Sequence, residues 1–135
     1  MKKKKILLVE NNRPITYLIG TLLEKNYDIL QVPDSRYAMQ EFFDNHCPDL
    51  IIISIDSTQS ANSQLIHHIW SSSLLNKVPL IILGDDESEK LEVPANACFL
   101  LKPFDPIQFI QKADELTLIN AFSETLNNKI NLFQA

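Results

Sequence analysis

Pro48-Asp49-Leu50-Ile51-Ile52-Ile53-Ser54 is the stretch on which the fold turns. A leucine and three consecutive isoleucines with no polar alternation call for burial on both faces, the condition of a central parallel strand covered by helices on either side. Pro48 breaks whatever precedes the run, and Ser54 ends it at the point where such a strand opens onto a site. A hydroxyl there accepts a hydrogen bond but carries no charge to hold a metal.

Working outward, Lys5 to Val9 is a second short apolar run, bounded by charge and by Asn11-Asn12, and reads as another strand buried on both faces. Pro14 suits a first helical turn, and Ile15, Leu18, Ile19, Leu22 and Leu23 then form a one-faced helical stripe that Asn26 ends. Tyr27 to Val32 reads as a strand, and Pro33-Asp34-Ser35 caps a helix with Ala38, Phe42 and Phe43 on its inner side. His46-Cys47-Pro48 breaks it. Past the central strand comes a polar loop at 57–60, then a helix marked by Leu65, Ile66, Ile69, Trp70 and Leu74, and a strand over Pro79 to Leu83. Asp86 to Val93 predicts a short acidic helix that Pro94 cuts off before a last strand at Phe99 to Leu101. From Asp105 a helix carries Ile107, Ile110, Ala113 and Leu116, and the spacing continues through Ile119, Phe122, Leu126, Ile130 and Phe133. Alternating strands and helices of this kind specify an α/β domain, doubly wound about a parallel sheet.

The bulk numbers agree. The chain has 135 residues, 45% apolar and 21% charged, enough to bury a core without disulfides or metals. A net charge of -5 and a pI near 5.1 disfavour nucleic acid as a partner. Lys2 to Lys5 lack the longer apolar region of a signal peptide and read as a solvated lead into the first strand. No apolar stretch reaches the roughly 20 residues of a membrane span. Cys47 and Cys98 have no ligand spacing and read as buried thiols in a cytoplasmic protein. Two glycines, Gly20 and Gly84, leave no P-loop or dinucleotide fingerprint. Adjacent histidines, His67-His68, point apart on a helix and read as surface groups. Trp70 and Phe99 read as core.

Five strand-helix units in this order, with Val9-Glu10-Asn11 after strand one, Pro48-Asp49-Leu50 leading strand three and Lys102-Pro103-Phe104 after strand five, resemble the receiver domain of two-component response regulators, the CheY-like family. The likeness covers roughly residues 4–118. It implies five parallel strands in the flavodoxin/CheY-like order 2-1-3-4-5, here with a shortened fourth helix and an extended C-terminal helix. It implies a receiver domain over 1–118 and a helical extension over 119–135, with no output domain.

In that family an acidic pair after strand one binds magnesium, an aspartate ending strand three takes a phosphoryl group from a histidine kinase, a hydroxyl residue ends strand four, and a lysine follows strand five. Carried over, these positions fall on Glu10 and Asn11, Ser54, Gly84 and Lys102, with Phe99 as the switch aromatic. Only Glu10, Phe99 and Lys102 fit. Asn11 and Ser54 are neutral where a hard cation wants anionic oxygen, Gly84 has no hydroxyl, and serine needs a general base that a carboxylate nucleophile does not. The resemblance therefore implies a degenerate phosphorylation pocket at Glu10, Asn11, Ser54, Gly84, Phe99 and Lys102, without catalysis and without magnesium. Lys102 is expected to turn to Glu10 and to the Ser54 hydroxyl, since a semi-buried charge left alone is costly.

The expected function is signalling by protein contact, with a histidine kinase or another regulator as partner and neither nucleic acid nor membrane. Two other readings compete. Asp56, two residues past Ser54, could serve as a displaced acceptor with magnesium, making the chain an active receiver; Asp85, Asp86, Glu87 and Glu89 read first as an acidic helix start. Alternatively, the apolar stripe over 118–133 carries the function, as a structural adaptor or a homodimer contact, because it outruns the receiver core and must be buried somewhere.

Overall fold

In the computed structural model the described residues are 3–44, 47–55, 60–85 and 97–118, with the side chains of residues 60 and 61 set aside. The isoleucine run forms β3 (Leu50–Ser54), buried at every residue. Its start is fixed by Asp49, whose Oδ2 accepts from the Lys5 amide at 2.8 Å while its own amide donates to the Lys5 carbonyl at 2.8 Å. That pins it to β1 (Lys4–Val9), and the remaining strands are β2 (Tyr27–Val32), β4 (Leu80–Gly84) and β5 (Ala97–Leu101). All pairings are parallel and the order is β2-β1-β3-β4-β5. This is the flavodoxin/CheY-like order.

Three helices carry local start signals. α1 (Arg13–Leu23) is capped by Asn12, whose side chain accepts from the Ile15 amide at 3.0 Å, with a proline in its first turn. α2 (Ser35–Phe43) is capped by Asp34, which accepts from the Arg36 amide at 2.9 Å. α3 spans Ser60–Ser71. α4, over 106–118, follows Asp105, whose Oδ1 accepts from the Ile107 amide at 2.9 Å. Parallel pairing sends every helix back across the sheet, so the strand ends that carry Glu10, Ser54 and Gly84 gather on one edge.

The core lies on both faces. Leu8, Ile19, Leu23, Ile52, Leu83 and Phe109 pack between the sheet and the α1/α4 side. Leu7, Ala38, Ile53, Leu65, Ile69 and Ile82 pack between it and the α2/α3 side. Each fully buried aliphatic side chain contributes on the order of 1.5–3 kcal/mol.

Several sequence expectations rotate out of the core. On α2, Ala38 and Phe42 face inward but Phe43 is 84% exposed; neighbouring helical residues are 100° apart, so Phe42 and Phe43 cannot share one face. Trp70, expected in the core, is half-exposed for the same reason beside the buried Ile69, and Leu74 lies past the end of α3, 79% exposed. Leu18 sits at the edge of the α1 stripe and is also exposed. On α4 the inner stripe is Phe109, Ala113, Leu116 and Thr117, and Ile107 faces out. Cys47 is exposed rather than buried, because the strand begins only after Pro48, and Cys98 is half-buried; burial raises the pKa of both thiols. His67 and His68 are at the surface, His67 edge-on to the Trp70 ring. The short acidic helix over 86–93 and the extension over 119–135 lie outside the described residues.

Candidate functional site

β1, β3 and β5 deliver the three side chains that meet at the C-terminal edge of the sheet. Glu10 follows β1, Ser54 ends β3, and Lys102 follows β5, held there by its amide, which donates to the Gly84 carbonyl at 2.8 Å. The Lys102–Pro103 peptide is cis. From that position the Lys102 ammonium donates to the Ser54 hydroxyl and lies 3.8 Å from Glu10 Oε2. Glu10 is 3% exposed and Ser54 4%. A charged carboxylate so deep in the fold requires compensation, and this ammonium supplies it.

Glu10 is held from three directions. Its amide donates to the Val32 carbonyl at 3.0 Å, its carbonyl accepts from Gln31 Nε2 at 2.6 Å, and its Oε1 accepts from the Asn12 amide at 3.0 Å. Oε2 makes no hydrogen bond among the described residues and faces the lysine alone. Ser54 is fixed through its backbone: Asn62 Nδ2 donates to its carbonyl at 2.8 Å, and the next amide, Ile55, donates to the Leu83 carbonyl at 2.8 Å.

Of the sequence-predicted residues, the structure thus brings Glu10, Ser54 and Lys102 into one contact set, with Gly84 joined through its carbonyl. Asn11 is exposed. Phe99 sits mid-β5, paired with Ile82 and half-buried against the α2/α3 core. Asp56 lies outside the described residues. Sequence reasoning passed over Asn62, Gln31 and Asn12. Asn62 was within reach: it stands at i−3, i−4 and i−7 from Leu65, Ile66 and Ile69, a polar residue on an apolar helical stripe, and such a residue needs a buried partner. Gln31 gave no signal, because in a strand it reads as an edge polar residue.

The fold family implies magnesium at this edge, and the donor chemistry can be tested against it. A hard dication collects about six oxygens, several of them anionic. Here one carboxylate oxygen is open, an ammonium lies 3.8 Å from it, and the neighbouring hydroxyl already accepts from that ammonium. Among the described residues no three His, Cys, Asp or Glu side chains converge as metal ligands do. The described residues by themselves do not fit a dication.

No family model matches the chain. It is 23% identical over 130 residues to the sensor histidine kinase TmoS of Ectopseudomonas mendocina, covering 93% of this chain and 13% of that protein. It is 26% identical over 115 residues to the phosphate regulon transcriptional regulatory protein PhoB of Escherichia coli, covering 81% of this chain and 49% of that one. The chain thus spans half or less of these relatives. In three dimensions it superposes on the signal receiver domain of a signal transduction histidine kinase from Syntrophus aciditrophicus with a TM-score of 0.74 at 24% identity, covering 84% of this chain and 89% of that one. Among the described residues no helix is long and apolar enough to cross a membrane. With the 2-1-3-4-5 sheet and the strand-end placement of Glu10, Ser54 and Lys102, the chain has the CheY-like receiver fold, and over most of its length it is similar to parts of a sensor histidine kinase and of a transcriptional regulatory protein.

Proposed function

We propose that this receiver domain signals by binding a protein and not by carrying a phosphoryl group. It is a pseudo-receiver over residues 1–118, placed in the cytoplasm, with a histidine kinase or another regulator of a two-component pathway as its partner. The observation that supports this reading is the Lys102 ammonium resting on the neutral Ser54 hydroxyl and on the buried Glu10 carboxylate. The lysine's charge is already matched, so nothing in the site calls for a second anion.

Chemistry points the same way. An acyl phosphate needs a carboxylate nucleophile at the end of β3, and serine would need a base to take its proton. Glu10 is poorly placed for that task, with one oxygen accepting from the Asn12 amide and the other facing Lys102. Serine here accepts a hydrogen bond from an ammonium, the arrangement opposite to one that would activate it. Among the described residues magnesium has one open carboxylate oxygen to bind, and the pocket works without it in this reading.

The test is intact-mass measurement after incubation with acetyl phosphate and magnesium. No phosphoryl adduct is expected. A magnesium-dependent adduct that disappears in Asp56→Asn would overturn the proposal in favour of a displaced acceptor. The 118–133 stripe bears on a separate question, a homodimer contact, which the mass in solution tests.

A further inference from the structure

β2 is an outer strand of the sheet, and one side of its backbone is bare. The Val32 carbonyl accepts from the Glu10 amide, so Val32 turns its main chain toward β1. Alternation turns Asp28 and Leu30 the same way and leaves Tyr27, Ile29 and Gln31 facing outward. Among the described residues nothing bonds the outward amides and carbonyls of these three. Outer strands are commonly guarded by lysine, proline, a bulge or an overlying segment. β2 has six residues, none of them lysine or proline, and pairs with β1 without a break in register. Its Leu30 side chain is 45% exposed. An open row of donors and acceptors with an apolar residue beside it is a template for another strand.

The strand fits a second copy of itself. Antiparallel pairing about a two-fold axis through Ile29 sets Ile29 against Ile29 and Tyr27 against Gln31, the register that uses every outward residue on both copies. Pro33 follows, without an amide to extend the ladder. Asp28 falls opposite Leu30 of the second copy, so the acids of the two edges are not directly opposed. The helix above the junction points to the same occupant. A right-handed crossover from β1 to β2 puts one flank of α1 over the outer edge of β2. With Ile19 and Leu23 turned to the sheet, the helical period places Thr16 and Gly20 on that flank. α1 meets the sheet chiefly at β2, and paired strands lie about 4.8 Å apart. Two copies of α1 would therefore come closer than the usual spacing of packed helices, about 8–10 Å, and small side chains allow that. A methyl group at Gly20 would meet nothing within 4 Å in the single chain. The glycine is unneeded inside one copy, where it costs helix stability relative to alanine, and needed between two. Counting about 1.5 Å per residue back along α1 from Leu23 and about 3.3 Å per residue along β2 from Tyr27 sets Gly20 about level with Ile29, at the axis.

We infer that the chain self-associates through β2, two sheets joining edge to edge in an antiparallel two-fold dimer whose α1 helices cross at Gly20. The inference does not depend on how the β3 site works. Each copy carries a net charge of -5, and Glu41 of α2 borders the edge beside Asp28, so screening by salt favours the dimer.

Sedimentation of the full chain from about 10 µM to about 1 mM, at about 0.3 M salt, should show monomer passing to dimer, as expected of a small interface. In amide exchange over the same range Tyr27, Ile29 and Gln31 should slow about tenfold, while Asp28 and Leu30, whose amides face β1, stay unchanged. A monomer throughout, or a dimer whose three outward amides exchange as in the monomer, would overturn the inference; the second result is what a contact through 118–133 would give. Three variants check the register. Gly20→Gln has room in the single chain and should keep its urea midpoint yet stay monomeric. Leu30→Asp, which opposes Asp28 of the second copy, should weaken association about tenfold, and Leu30→Lys should strengthen it. A Gly20→Gln chain that dimerises like the parent, or two Leu30 variants that shift association alike, would refute this pairing.

Discussion

β1 has a polar cluster at each of its two ends, and the two clusters differ in kind. At its C-terminal end stand Glu10, Ser54 and Lys102, with Asn62 behind them; at its N-terminal end stand Tyr27, Thr117 and Asp114, with Lys4 beside them. Among the described residues the four buried polar side chains are Glu10, Ser54, Asn62 and Thr117, three in the first cluster and one in the second. The second is a brace. Its phenol donates to Asp114 at 2.6 Å, and Asp114 is exposed, so every group has a partner or water. The first holds a full charge pair with one carboxylate oxygen left without a hydrogen bond. Such an arrangement gains little over apolar packing, yet breaking it by halves is expensive. A fold that needed only stability would not build it at this edge.

Lys102→Met is the substitution with the largest expected effect, because it leaves the Glu10 carboxylate buried and alone. A loss of about 3 kcal/mol is expected in urea unfolding at neutral pH. Adding Glu10→Gln to the same chain should recover most of it, since the remaining groups are neutral and of nearly the same shape. If the double variant stays as weak as the single one, the lysine acts through packing and the charge pair is incidental.

The brace should yield less. Tyr27→Phe removes a phenol whose partners are an exposed carboxylate and a hydroxyl that also bonds the Ala113 carbonyl at 2.9 Å, so about 1 kcal/mol is expected. Its pH dependence is the sharper readout. Burial first, and then the hydrogen bond to Asp114, push the Tyr27 phenol from 10.0 up to about 12. A raised pKa favours the neutral form in the folded state, so its contribution is complete below pH 10 and is lost as pH rises through about 12. Ultraviolet titration should show one of the three tyrosines ionising near pH 12, and that late step should vanish in Tyr27→Phe. A parent chain with no late step would mean the phenol is open to water, and the brace would be a surface contact.

The same contrast marks what the sequence could reveal. Ile51-Ile52-Ile53 and Leu80-Ile81-Ile82-Leu83 announced central strands because doubly buried strands have no polar alternation to confuse. The meeting of Glu10, Ser54 and Lys102 was foreseeable because strand ends of a parallel sheet converge by topology, whatever the side chains are. Faces of short helices were harder. Phe42 and Phe43 are equally apolar, and which of them turns inward depends on where α2 begins, a rotation of 100° per residue that Asp34 as cap settles only in three dimensions. Phe109 was likewise eclipsed by Ile107, which fits the same period shifted by two residues. The brace was invisible: Tyr27, Asp114 and Thr117 are separated by up to 90 residues, and none stands out where it occurs.

Ser54 itself should matter least to folding. Its hydroxyl accepts from an ammonium whose side chain keeps 26% of its surface open to solvent and keeps Glu10 as its counter-charge. Ser54→Ala removes one acceptor and no charge, and water can take the vacated place beside the lysine. A cost of about 0.5 kcal/mol is expected, near the lower end for a single hydrogen bond, measured as a shift in the urea midpoint at unchanged slope. The outcome separates two meanings of the cluster. A small loss leaves the Glu10–Lys102 pair as the element that holds the edge together, with serine a neutral residue beside it. A loss as large as that of Lys102→Met would make the hydroxyl the piece that positions the ammonium, and the pair would then exist only through Ser54.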